Sequence, residues 1–134
     1  LKLKNIYFKG RVEKKFVPYI LSKGNLNIVN GIIGGFGTYG VSWNKLFEYM
    51  ASGKPVIANY QFNKYNFIQD YKFGIAKQFN SIEEFSEQIM KIANLSDNDY
   101  QKLCKNARIA ANDFDFANLT KKLISVIEFV LIKK

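Results

Sequence analysis

Residues 26–60 read LNIVNGIIGGFGTYGVSWNKLFEYMASGKPVIANY. Leu26 to Ile33 is a strongly apolar run of strand length, and the glycine-rich loop Gly34 to Gly40 follows it. Ser42 is a good N-cap for a short helix, Trp43 to Ser52, because its hydroxyl can accept from the free N–H groups of a first turn. Gly53 ends that helix and Pro55 prevents its continuation. Pro55 to Tyr60 is then a second apolar run. An order of strand, glycine loop, helix and strand predicts neighbouring parallel strands, since only a crossover element can return the chain to the same edge.

The pattern extends in both directions. Upstream, Asn5 to Lys9 reads as a strand ending at Gly10. Glu13 to Lys23 carries Phe16, Val17, Ile20 and Leu21 at helical spacing, with Pro18 required to lie in a first turn or to kink the helix. Gly24 closes it. Downstream, Asn63 to Lys72 is a short helix or loop, and Phe73 to Phe79 holds a further short strand. Ser81 and Glu84 have capping-box spacing before Phe85, Ile89 and Ile92. Ser96 with Asp99 opens a helix containing Leu103, Ala107 and Ala110, and Phe116 to Lys133 is the last. The expected fold class is α/β: a Rossmann-like, three-layer parallel sheet with helices on both faces and a helical C-terminal tail. Residues 1–134 are expected to be one domain, Rossmann-like over 1–80 and helical over 81–134. The last helix has an apolar stripe of Phe116, Leu119, Leu123, Val126, Ile127, Val130 and Leu131, with Phe129 and Ile132 outside it. A helix apolar on more than one side expects more than one packing partner, such as a further domain or a membrane surface.

A chain of 134 residues buries roughly two-thirds of its unfolded surface, and 48% hydrophobic residues can fill that core. The single cysteine, Cys104, forms no internal disulfide, which favours a reducing, cytoplasmic compartment. Histidine is absent, so histidine acid–base pairs and histidine-rich metal sites are excluded. The longest apolar candidate, Val126 to Ile132, is broken by Glu128 and falls well short of the ~18 residues of a membrane span. No signal peptide opens the chain, and its abrupt start at Leu1 reads as that of a fragment. The net charge of +9 favours anionic partners such as phosphates, nucleic acid or anionic lipid.

Gly35-Phe36-Gly37-Thr38-Tyr39-Gly40 fits G-x-G-x-x-G between a strand and a helix. A dinucleotide site would also want a carboxylate ~20 residues on, where Ala58-Asn59-Tyr60-Gln61 has none. The loop's anion-binding logic remains, because a helix N-terminus offers unpaired N–H groups and a partial positive charge. Ser42, Trp43 and Asn44 supply that N-terminus, and Lys45 in the first turn can reach a diphosphate. Glu48 lies one turn beyond, placed to accept two ribose hydroxyls or, more simply, to pair with Lys45 on the surface.

The segment Tyr39 to Ala58, with its S-x-N-K-L-F-E-Y-M-A-x-G-K-P-V-I core, closely resembles the donor site of family 4 (group 1) glycosyltransferases of the GT-B fold. It looks most like a bacterial branch acting in capsule and O-antigen polysaccharide biosynthesis. Asn5 to Val12 is similar to the family's strand–loop near the nucleobase. Asn106-Ala107-Arg108 and Phe114-Asp115-Phe116 are similar to its C-terminal helices. The resemblance implies a C-terminal domain that binds a nucleotide-sugar, UDP rather than GDP. Glu48 would hold the ribose. Gly40, Ser42, Trp43, Asn44 and Lys45 would face the diphosphate and sugar, and Gly10, Arg11 and Val12 would border the base. Gly40 stands where many members carry a glutamate against the donor sugar. The family's Arg/Lys pair at the diphosphate, the acceptor site and the catalytic residues are expected upstream of Leu1, in an N-terminal domain. Neither a cofactor nor an essential metal is implied. The expected partners are a UDP- or GDP-sugar, that N-terminal domain, and a lipid-linked acceptor or the inner membrane face. The alternatives are a stand-alone nucleotide- or phosphate-binding module of flavodoxin-like shape and a nucleic-acid-binding domain. The second lacks any RNA- or DNA-binding signature.

Overall fold

Val56-Ile57-Ala58 is apolar at consecutive positions, and successive strand side chains point to opposite faces. Such a strand is stable only when both faces are covered. The computed structural model, which describes residues 3–31, 44–60 and 65–132, places this run at the centre of a sheet. Three parallel strands, β1 (Asn27–Asn30), β2 (Val56–Asn59) and β3 (Gly74–Lys77), lie in the order β1-β2-β3. Asn27 is opposite Val56, and Val56 is opposite Gly74.

The helices are α1 (Val17–Lys23), preceded by a 3-10 turn (Lys14–Phe16), α2 (Asn44–Ser52), α3 (Phe67–Asp70), α4 (Ile82–Ala93), α5 (Asp97–Asp113) and α6 (Phe116–Ile132). On one face of the sheet Val29, Val56, Ala58 and Ala76 pack with Leu46 and Met50 of α2, Ile68 of α3, and Ala107 and Ala110 of α5. On the other, Ile57 and Ile75 pack with Phe85, Ile89 and Ile92 of α4 and with Phe79. Helices therefore cover both faces, as a Rossmann-like three-layer order requires. Met50, Ile57, Ile68 and Phe73 are fully buried, each contributing about 1.5–3 kcal/mol by removal from water.

Local chemistry fixes the boundaries. Pro18 lies in the first turn of α1, where its missing N–H costs nothing. Gly53 closes α2 at φ +66, a conformation that suits glycine, with its N–H donating to the Met50 carbonyl. At α4 the Ser81 hydroxyl accepts from the Glu84 N–H. The returning Glu84 carboxylate accepts from the Asn80 N–H, one residue before the N-cap, and pairs with Lys77. Lys77 and the Asn80 N–H together hold the Glu84 carboxyl below its ordinary value. Ser96 caps α5 by accepting from the Asp99 N–H. Lys72 adopts φ 56 just before β3, and the Asn106 side-chain amide of α5 donates to its carbonyl.

Two expectations are corrected. Asn5 to Lys9 forms no strand. A strand needs a ladder partner, and no described strand pairs with this segment, whose Phe8 is 95% exposed. The long final helix does form, but it buries no residue. Its start meets α5, where Asn118 donates to the Asn112 carbonyl, and Leu119, the least exposed of its large apolar residues, is still 37% exposed. Among the described residues no helix is long and apolar enough to cross a membrane. The glycine loop Gly34 to Gly40 and the Ser42 cap lie outside the described residues.

The contact between β2 and β3 leaves no room for a side chain at Gly74, where a Cβ would stand 1.9 Å from the Val56 carbonyl oxygen. Gly74→Ala must part the two strands, so we expect it to cost at least the ~1–3 kcal/mol of an overpacked core. A denaturant midpoint equal to that of the unaltered protein would show that the strands separate without penalty.

Candidate functional site

Helix α2 positions the chemistry. Leu46 and Met50 are buried against the sheet, which turns Asn44, Lys45, Glu48 and Ala51 outward. The far end of α2 is tied down. The Asn27 side-chain amide donates 3.0 Å to the Ser52 hydroxyl, which itself donates 2.7 Å to the Tyr49 carbonyl. Among the described residues Asn27 is the buried polar one, and its side-chain amide finds a partner in this bond.

Two hollows flank the helix. One, of about 310 Å³, lies between α1 and α2 and is closed at one end by α5. Glu48, Ala51 and Ser52 form one wall, Val17, Pro18, Leu21 and Ser22 the other, and Lys14 and Arg108 bring positive charge. The Glu48 carboxylate is half-buried and makes no hydrogen bond or ion pair with any described residue. Burial first, and then the Glu48 charge, push the neighbouring Tyr49 phenol up. The second hollow, of about 360 Å³, lies at the sheet and is lined by Ile28, Val29, Asn30, Asn44, Lys45 and Tyr49. Ligands of open parallel sheets bind beyond the carboxyl ends of the strands. Here Asn30 and Asn59 mark those ends on β1 and β2. The Asn59 amide donates 2.9 Å to the Asn30 side-chain oxygen, and its own oxygen accepts from the Phe79 N–H.

The structure places Glu48 apart from Lys45: the surface ion pair weighed from spacing does not form, and each faces its own hollow. Gly10, Arg11 and Val12 come just before the Lys14 that lines the Glu48 hollow, and none of the three lines it. Gly40, Ser42 and Trp43 lie outside the described residues. Sequence reading assigned no part to Lys14 or Arg108. No sequence signal joins Arg108 to this site: it lies 55 positions from Gly53, and only the fold brings its Nε to 2.5 Å from where a Gly53 Cβ would stand. The flanking motifs have structural explanations as well. Ala107 is fully buried. Phe114 packs edge-on against Phe67, with ring centroids 4.6 Å apart. The Asp115 carboxylate accepts from the Ala117 N–H at the start of α6.

An unpaired carboxylate beside an apolar wall can accept a pair of hydroxyls, and the cations around it can take an anion. A family model described as glucosyltransferase 3-like, C-terminal domain, matches residues 4–127. No curated protein and no solved structure matches the chain. The match spans both hollows and every element from α1 through α5, and with it the chain belongs to the glucosyltransferase 3-like C-terminal domain family.

Proposed function

We propose that this domain is the donor-binding half of a GT-B glycosyltransferase of the family 4 (group 1) type, holding a UDP- or GDP-sugar for transfer to a polysaccharide or lipid-linked acceptor. What carries the reading is the Glu48 carboxylate, unpaired among the described residues, in a hollow with Lys14 and Arg108, on a domain of a glucosyltransferase-like family. A carboxylate offers several acceptor sites and suits the two hydroxyls of a ribose. The diphosphate then extends toward the start of α2, where Asn44 and Lys45 stand and the helix dipole favours negative charge. The diphosphate and sugar are also assigned to Gly40, Ser42 and Trp43, which lie outside the described residues, and the base to Gly10, Arg11 and Val12. The acceptor belongs to a second domain, for which the exposed apolar side of α6 provides a contact surface.

Removing a charged hydrogen-bond partner costs ~1.5–3 kcal/mol, so Glu48→Ala should weaken UDP or GDP binding roughly ten- to a hundredfold. Unchanged affinity in calorimetry would take Glu48 out of the site. Lys45→Ala should penalise the nucleoside diphosphate more than the nucleoside, and equal losses for UDP and uridine would contradict its assignment to the diphosphate.

Transfer needs both substrates in near-attack geometry, a contribution of ~7–11 kcal/mol, and stabilisation of the departing diphosphate. These 134 residues supply one wall of such a cleft. They should bind nucleotide yet transfer no sugar until the acceptor-binding domain is added. Turnover of UDP- or GDP-sugar onto a lipid-linked acceptor by these residues alone, abolished in Glu48→Ala, would overturn that division of labour.

A further inference from the structure

Along the axis of α2, Lys45 is in the first turn and faces the second hollow, whereas Glu48, one turn on, and Arg108, whose side chain lies across Gly53 after the last turn, line the first. At about 1.5 Å of rise per residue, Glu48 lies about 4.5 Å beyond Lys45 and about 7.5 Å short of Gly53. A nucleoside diphosphate carries its parts in the same order: diphosphate, ribose, base. With the ribose at Glu48 and the diphosphate toward Lys45, the base is directed along the hollow toward Arg108.

The hollow has the character a base requires. Val17, Pro18 and Leu21 of α1 give it an apolar wall for a flat ring. The Arg108 guanidinium makes no hydrogen bond or ion pair with any described residue. The residue is exposed, and because it has donors only, the ligand group it can take in place of water is an acceptor. Uracil and guanine present carbonyl oxygens on their edges, whereas adenine presents an amino group at the corresponding position. We infer that Arg108 reads the base of the donor and selects a carbonyl-bearing base, uracil or guanine, over adenine.

This inference rests on the donor-binding reading above. Arg108 also covers the turn at Gly53 and places its charge at the C-terminal end of α2, where it complements the helix dipole. A purely structural role of that kind would stabilise the fold without distinguishing one base from another. The discriminating quantity is therefore a ratio of affinities.

The experiment is calorimetric titration of the 134-residue chain with UDP, GDP and ADP, repeated for Arg108→Gln and Arg108→Lys, with a denaturant midpoint for each. The unaltered chain should bind UDP or GDP at least tenfold more tightly than ADP, about what one charged hydrogen bond gives. Arg108→Gln should bring that ratio close to one by weakening UDP and GDP while ADP is unchanged. Arg108→Lys keeps the charge over the end of α2 but loses the planar fork, so it should keep the midpoint and still lose the preference. A ratio unchanged in both variants overturns the inference, even if all three nucleotides bind less tightly. Binding that depends on Glu48 but shows no preference among the bases overturns the inference alone. A chain that binds none of the three overturns the donor-binding reading with it.

Discussion

The close parallel pairing of β2 with its two neighbours is the constraint from which the other positions follow. Val56, Ile57 and Ala58 are all fully buried, which is possible only with helices on both sides of the strand. Val56 and Ala58 call for α2, α3 and α5 on one face, and Ile57 calls for α4 on the other. The same pairing requires that residue 74 carry no side chain. Once the sheet is set, the direction of α2 is set too. Its buried ridge of Leu46 and Met50 holds Glu48 outward, and the bond from Asn27 to Ser52 anchors its far end to the first residue of β1.

Much of this was legible in the sequence because short-range rules decide it. Pro18, Gly53, Pro55, Ser81 and Ser96 each mark an element boundary through a backbone donor or dihedral that one residue can satisfy or forbid. What was not legible depends on partners far along the chain. Asn5 to Lys9 has strand-like residues, yet strand formation is a property of a pair, and none of the described strands is its neighbour. The stripe on α6 has the right period for a core-facing helix, but period alone does not say that a facing surface exists.

The site divides along the same line. Asn44, Lys45 and Glu48 could be placed on the outward side of one short helix by counting residues. That Lys45 and Glu48 face different hollows depends on where α1 and β1 lie against that helix. Lys14 and Arg108 reach the Glu48 hollow from a 3-10 turn and from α5, separated from it by dozens of residues on either side. Counting along the chain cannot bring such residues together. Gly53 leaves room for the Arg108 side chain, but in the sequence that glycine reads only as the end of α2.

The shallow packing of α6 also bears on how the molecule moves. Isolated helices shorter than ~12–15 residues are marginal in water, and α6, at 17 residues, is only slightly longer and buries nothing. Its backbone amides are therefore held almost entirely by the helix's own hydrogen bonds. They open by local helix–coil fraying, on a free-energy scale separate from that of the sheet. In hydrogen exchange such a domain should divide into a slowly exchanging body built around β2 and a last helix whose protection reports what lies against it.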